Sequence, residues 1–184
     1  MWNPETLRSR LQIILVATAL ALAAVGCATT GAVQRDDGDA QRLAKNLANF
    51  DDLDFRVFSG QKWDELQHSH AQDITVHWPD GRITKGIAPH IDDLKAMFVW
   101  APDTRIEQHP IKVAQGEWTA VVGVIEGTFS EPMPIGEGKS IPPTGKAYKL
   151  SMVTVGHWTA AGVMDEEYLF WDNKEFYLQI GLGQ

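Results

Sequence analysis

Residues 165–182 read DEEYLFWDNKEFYLQIGL, and the fold turns on how this segment is divided. Successive side chains of a strand point to opposite faces. Alternation therefore sets Glu167, Leu169 and Trp171 on one face, with Glu166, Tyr168 and Phe170 on the other. A strand this apolar must bury at least one face, so an acid goes inside with the aromatics. After it, Asp172-Asn173-Lys174-Glu175 fits the Asp-x-x-Glu pattern that caps a helix start, with Asp172 or Asn173 as the cap. A short helix is then expected over residues 174–181, KEFYLQIG.

Working outward, KAYKLSMVTVGHW (146–158) is a second strand, and the turn TAAG folds it back onto GVMDEEYLFW (162–171). The register read from that turn sets Thr154 opposite Glu167, Met152 opposite Leu169 and Leu150 opposite Trp171. Two earlier strands, TRIEQHPIKVAQ (104–115) and WTAVVGVIEGTFS (118–130), complete a meander. Further upstream, DITVHW alternates and returns through PDG to RITKG. A helix is expected over APHIDDLKAMFVWA (88–101), where Pro89 suits the first turn. Apolar spacing at Leu43, Leu47, Phe50, Leu53 and Val57 predicts a helix over 41–58, interrupted near Asp51. Another is expected over 59–71, capped by Ser59. Helices gathered on one face of a mostly antiparallel sheet make an α+β domain.

The chain has 184 residues, but the first 40 read differently from the rest. Arg8 and Arg10 precede fifteen uncharged residues, LQIILVATALALAAV, and then Gly26-Cys27. A basic start, a short apolar stretch and a small residue before the break are the anatomy of a secretory signal over residues 1–26. The sole cysteine, Cys27, stands where a lipoprotein signal places its lipidated residue. Residues 27–40 then form a small, polar tether, and residues 41–184 a single domain. Ala28 rather than Asp follows the cysteine, which points to an outer-membrane lipoprotein facing the periplasm. The membrane is met only through that anchor. The net charge of −8 gives no basic face for nucleic acid.

Several strings now converge: SHAQDITVHWPDGRITKG, GTF before a Pro-rich loop, PPTGK, and EEYLFWDNKEFYLQIGL, which sets Asp172 seven residues before Gln179-Ile180-Gly181. In this order they resemble the SnoaL-like polyketide cyclase ("ester cyclase") family of the nuclear transport factor two-like superfamily. The resemblance implies a cone: a curved antiparallel sheet wrapped on about three N-terminal helices, with an apolar pocket in its mouth. It also implies a homodimer through the outer sheet face, and acid–base chemistry without metal or covalent intermediate. The family's catalytic Asp falls at Leu169 here and its partner His near Val155, so that carboxylate is not inherited. A His–Asp pair at the end of the second helix is matched by His70 and Asp73.

Glu167 shares the Leu169 face. If that face looks into the pocket, Glu167 enters an apolar mouth where desolvation makes it a candidate general base, with His70 or His77 as proton donor or carbonyl polariser. Trp78, Trp100, Leu169, Trp171 and Asp172 are the expected pocket wall. His68, His70, His77 and His90 surround the first strand, but no His-x-x-x-His spacing exists, so neither a metal site nor another cofactor is expected. His109 and His157 read as strand-edge positions. GEGKS (136–140) is not a phosphate loop, because Met133 stands where its first Gly belongs. Residues 130–145 read as a Pro-stiffened loop over the pocket mouth. The expected ligand is a small, largely apolar, carbonyl-bearing molecule. The alternative is a non-catalytic carrier lipoprotein using the same pocket.

Overall fold

The computed structural model describes residues 37–183. The proposed signal, Cys27 and most of the tether lie outside the described residues. Helix α1 (Asp37–Asp52) runs directly into a π-helical turn, Leu53–Phe58. The expected interruption near Asp51 is thus a widening of the helix rather than a break. A 3-10 segment, Trp63–His68, replaces the helix expected over 59–71. Ser59 is not its cap: the Ser59 hydroxyl donates to Asp54 O and accepts from Ile106 N, tying the π-turn to the sheet.

Then follow β1 (His70–His77), β2 (Ile83–Lys85), α2 (Ile87–Trp100), β3 (Arg105–Gln115) and β4 (Trp118–Thr128). A small hairpin, β5 (Met133–Pro134) and β6 (Ser140–Ile141), precedes β7 (Ala147–Trp158), β8 (Met164–Phe170) and α3 (Asn173–Gln179). The main sheet has the order β2-β1-β8-β7-β4-β3, antiparallel except where β1 lies parallel to β8. This is the expected α+β cone, a curved sheet closed by N-terminal helices and a short C-terminal one. Among the described residues no helix is long and apolar enough to cross a membrane.

The β7–β8 register differs from the expected one by two residues. Leu169 faces Thr154, and Glu167 faces Gly156. The irregularity at His157/Trp158 supplies one residue of the slip, and the turn, which pairs Thr159 with Val163, supplies the other. Because the slip is even, Glu167 and Leu169 stay on the inner face. That face also carries Val121 and Ile125 of β4, Tyr148, Leu150, Met152 and Trp158 of β7, and Met164 of β8, all buried. Its glycines are small because the interior demands it: a Cβ on Gly127 would lie 2.6 Å from the Tyr148 hydroxyl. The outer face carries His77, Glu166, Tyr168 and Phe170.

Asp172 is the N-cap of α3, its side chain accepting from Lys174 N and Glu175 N. The capping pattern is therefore met, and the expectation that Asp172 lines the pocket is not. Trp100 also leaves the expected wall. It packs against Phe129, Tyr148 and Phe176 in the core. Residues 130–145 carry the β5–β6 hairpin, whose Met133 and Ile141 pack against the core, and none of them lines the pocket.

Candidate functional site

Inside the cone lies a cavity of about 80 Å³, open to solvent at its mouth. It is narrow beside the roughly 300–1,000 Å³ of a usual small-molecule site. Leu94 and Met97 of α2, Ile125, Leu150 and Met152 of the sheet, and Leu169 make most of its wall apolar. Trp78 and Trp171 meet edge to face at 6.4 Å on one side. Each is held by its indole N–H: Trp78 donates to Thr84 Oγ1 (2.9 Å) and Trp171 to Asn173 Oδ1 (2.7 Å). Thr84 in turn donates to Asp93, which also binds Arg82, and the Arg82 guanidinium lies 5.0 Å over the Trp78 ring.

Polar groups enter this wall at few points. Glu167 is one, and it is 5 % exposed. β8 carries it between Gly156 of β7 and Val76 of β1. His70 stands at the start of β1 rather than at a helix end, and His90 comes from α2; both are 2 % exposed. His90 Nε2 lies 3.4 Å and His70 Nε2 3.7 Å from Glu167 Oε2. The rings of His70 and His90 are 5.2 Å apart. His70 Nε2, His90 Nδ1 and Glu167 Oε2 are buried with no hydrogen-bond partner.

The far side of His70 is fixed. Ser69 Oγ donates to Leu66 O and lies 2.8 Å from His70 Nδ1. With the hydroxyl proton so used, His70 Nδ1–H donates to Ser69, and Nε2 is presented to Glu167. Burial pushes His90 down to about 4, only partly offset by Glu167, so its imidazole is neutral at pH 7. Burial raises the Glu167 carboxyl, but the imidazoles of His70 and His90 outweigh it and hold the group below its ordinary value.

A second polar entry is Asp54, which the sequence reading did not single out. It sits on the π-helical turn and lines the same cavity. Its Oδ2 lies 2.8 Å from His109 Nε2, and His109 Nδ1 lies 2.7 Å from Asp51 Oδ1. Lys112 closes the chain at 2.6 Å from Asp51 Oδ2. His109 lies on an edge strand, yet its side chain is only 1 % exposed. Two register shifts between Ile106 and Ile111 rotate it inward. Pro110, which lacks a donor, is tolerated there because β3 is an edge strand.

His77 does not join the site. It stacks on Tyr168 at 4.1 Å and pairs with Glu166 at 3.1 Å, on the outer face. Of the expected site residues, then, Glu167, His70, Trp78, Leu169 and Trp171 meet in one cavity. His77, Trp100 and Asp172 do not. As for metal, His70, His90 and Glu167 offer three ligand atoms within 4.8 Å of one another.

The model of the SnoaL-like polyketide cyclase family matches residues 54–180. The chain belongs to that family. Solved structures agree on the fold of this SnoaL-like domain. IdmH from Streptomyces antibioticus superposes with a TM-score of 0.62 at 20% identity, covering 74% of this chain and 98% of that one. A SnoaL-like protein from Jannaschia sp. CCS1 gives 0.65 at 17% identity, over 77% of this chain and 94% of that one. AclR from Streptomyces galilaeus, described as a hydroxylase, gives 0.60 at 15% identity, over 79% and 87%. No curated protein matches.

Proposed function

We propose that this SnoaL-like pocket protein takes a small, largely apolar, carbonyl-bearing molecule and moves a proton on it without an organic cofactor. The outcome is an isomerisation, cyclisation or hydrolysis. One observation carries the reading: a buried carboxylate, Glu167, faces two imidazoles in a mostly apolar cavity. Glu167 takes a proton from the carbon beside the carbonyl, and His70, aligned by Ser69 and protonated at both ring nitrogens for this step, donates from Nε2 to the oxygen where charge develops. The aromatic pair Trp78 and Trp171 suits a flat ligand.

The test uses β-tetralone and chelator-treated protein. Binding is read by quenching of Trp78 and Trp171 fluorescence, and exchange of the activated protons in D2O by NMR. Exchange above the buffer rate, falling about 10²–10⁴-fold in Glu167→Gln with binding kept, is the expected result. Binding without exchange in either protein selects the alternative, a carrier. Absence of binding removes the carbonyl-ligand reading.

The protein is further proposed to be an outer-membrane lipoprotein anchored at Cys27 and a homodimer. Exposed Trp118 and Phe170, flanking Tyr168 on the outer sheet face, support the second proposal. Mass spectrometry of the mature N-terminus, with Cys27→Ser as control, tests the anchor. Sedimentation of wild type against Phe170→Lys tests the dimer.

A further inference from the structure

The three orphaned atoms at the cavity floor raise a separate question: what satisfies them. His70 Nε2 and Glu167 Oε2 lie 3.7 Å apart and His90 Nε2 and Glu167 Oε2 3.4 Å apart, all beyond a normal hydrogen bond. Groups buried this deeply ordinarily have partners, and an exception calls for a missing occupant. Two donor atoms on a common divalent ion, each about 2.1 Å from it in tetrahedral geometry, stand about 3.4 Å apart. The Glu167–His90 separation matches that value, the Glu167–His70 separation is slightly longer, and all three donor atoms lie within 4.8 Å of one another. Small side-chain rotations would bring them onto one centre.

The chemistry of the set agrees. A ligating imidazole must offer a lone pair, and its other nitrogen is ordinarily held by an outer partner. His70 meets both conditions, because its Nδ1–H donates to Ser69, which is itself anchored on Leu66 O. His90 is neutral at pH 7. Two neutral imidazoles and one carboxylate leave a divalent ion with open positions, and the apolar cavity lies beside them. Such a set suits a first-row ion of the zinc, iron(II) or cobalt(II) kind rather than magnesium or calcium, which prefer all-oxygen sites. His90 Nδ1 is buried and unpartnered, so this imidazole is held by packing alone. An outer partner on that nitrogen would be worth about 10–100-fold in affinity.

We propose that His70, His90 and Glu167 bind one divalent transition-metal ion at the floor of the cavity, with its open positions turned to the ligand space. The inference uses the site described above but does not rest on proton transfer there. An ion on Glu167 Oε2 draws on the charge that would take the proton, so the metal-bound carboxylate is the weaker base.

The experiment titrates the full, chelator-stripped chain with zinc(II) and cobalt(II) alone, without organic ligand. Binding is followed by calorimetry and by the visible cobalt spectrum. One equivalent per chain is expected, with a cobalt spectrum of low, non-octahedral coordination. His70→Ala, His90→Ala and Glu167→Ala should each weaken binding by at least about 100-fold. His77→Ala and His157→Ala, which alter the outer-face His–acid pairs, should leave it unchanged. Should an alanine variant fail to fold by circular dichroism, His70→Asn, His90→Asn and Glu167→Gln take its place. Absence of saturable uptake, or uptake that survives loss of both His70 and His90, overturns the proposal. Because no carbonyl compound is present, neither result bears on the β-tetralone test.

Discussion

Replacing His109 with Leu tests the buried Asp51–His109–Asp54 chain. The side chains of His109 and Asp54 are 1 % and 13 % exposed, and that of Asp51 is 31 % exposed. Leu fills much of the imidazole's volume between Phe50 and Phe55, whose rings lie 5.8 and 4.4 Å from it, so the main loss is charge pairing. Removing one partner of a buried pair costs about 3–5 kcal/mol, because the other charge stays buried without compensation. Asp51 keeps Lys112, and Asp54 has access to the cavity, so the lower end applies: about 3 kcal/mol, or roughly 6–12 °C in Tm for a domain of this size. The effect depends on pH with a definite sign. Burial lowers the His109 pKa, but its bonds to Asp54 and Asp51 outweigh that and leave it above the ordinary value. The stability it adds is complete below the ordinary histidine value and is lost as pH rises through the raised one. Scanning calorimetry should show the wild-type advantage greatest near pH 6 and shrinking towards pH 9. The double variant His109→Leu/Asp54→Leu should recover much of the loss, since an apolar replacement of a buried pair is near neutral. A Tm drop below about 2 °C, or one that is flat with pH, would refute the reasoning.

Other perturbations have equally definite outcomes. Asp172→Ala removes the side chain that accepts from Lys174 N and Glu175 N, and should cost about 1 kcal/mol by urea unfolding with m unchanged. Gly127→Ala places a Cβ 2.6 Å from the Tyr148 hydroxyl and 3.1 Å from Thr104 Cα, so it should cost about 1–3 kcal/mol and break the Thr104–Tyr148 bond. Tyr148, pushed up to about 12 by burial and held from rising further by its bond to Thr104, should then titrate at higher pH by ultraviolet absorbance. Glu126→Gln, by contrast, breaks only surface pairs with Arg105 and Lys149, and thermal unfolding should not move measurably.

What the sequence revealed of this site, and what it hid, follows from the reach of each signal. Alternation has a period of two and survives an even register slip, so the inner face of β8 was legible although the partners of Glu167 and Leu169 were misplaced by two residues. The cap at Asp172 was legible because all its atoms come from four successive residues. His90 was not, because no spacing links an α2 residue to a β8 carboxylate 77 positions later; only the parallel β1–β8 pairing and the packing of α2 bring them together. His109 and Asp54 were hidden for a different reason. Two bulges in β3 break the alternation that would place His109 outside, and a π-helical turn displaces Asp54 from the α-helical phase. Both irregularities lie where polar groups line or back the cavity, as expected when a fold departs from regular geometry to aim side chains at a site. The polar half of this cavity is therefore written in the defects of its elements, and its apolar half in their periodicity.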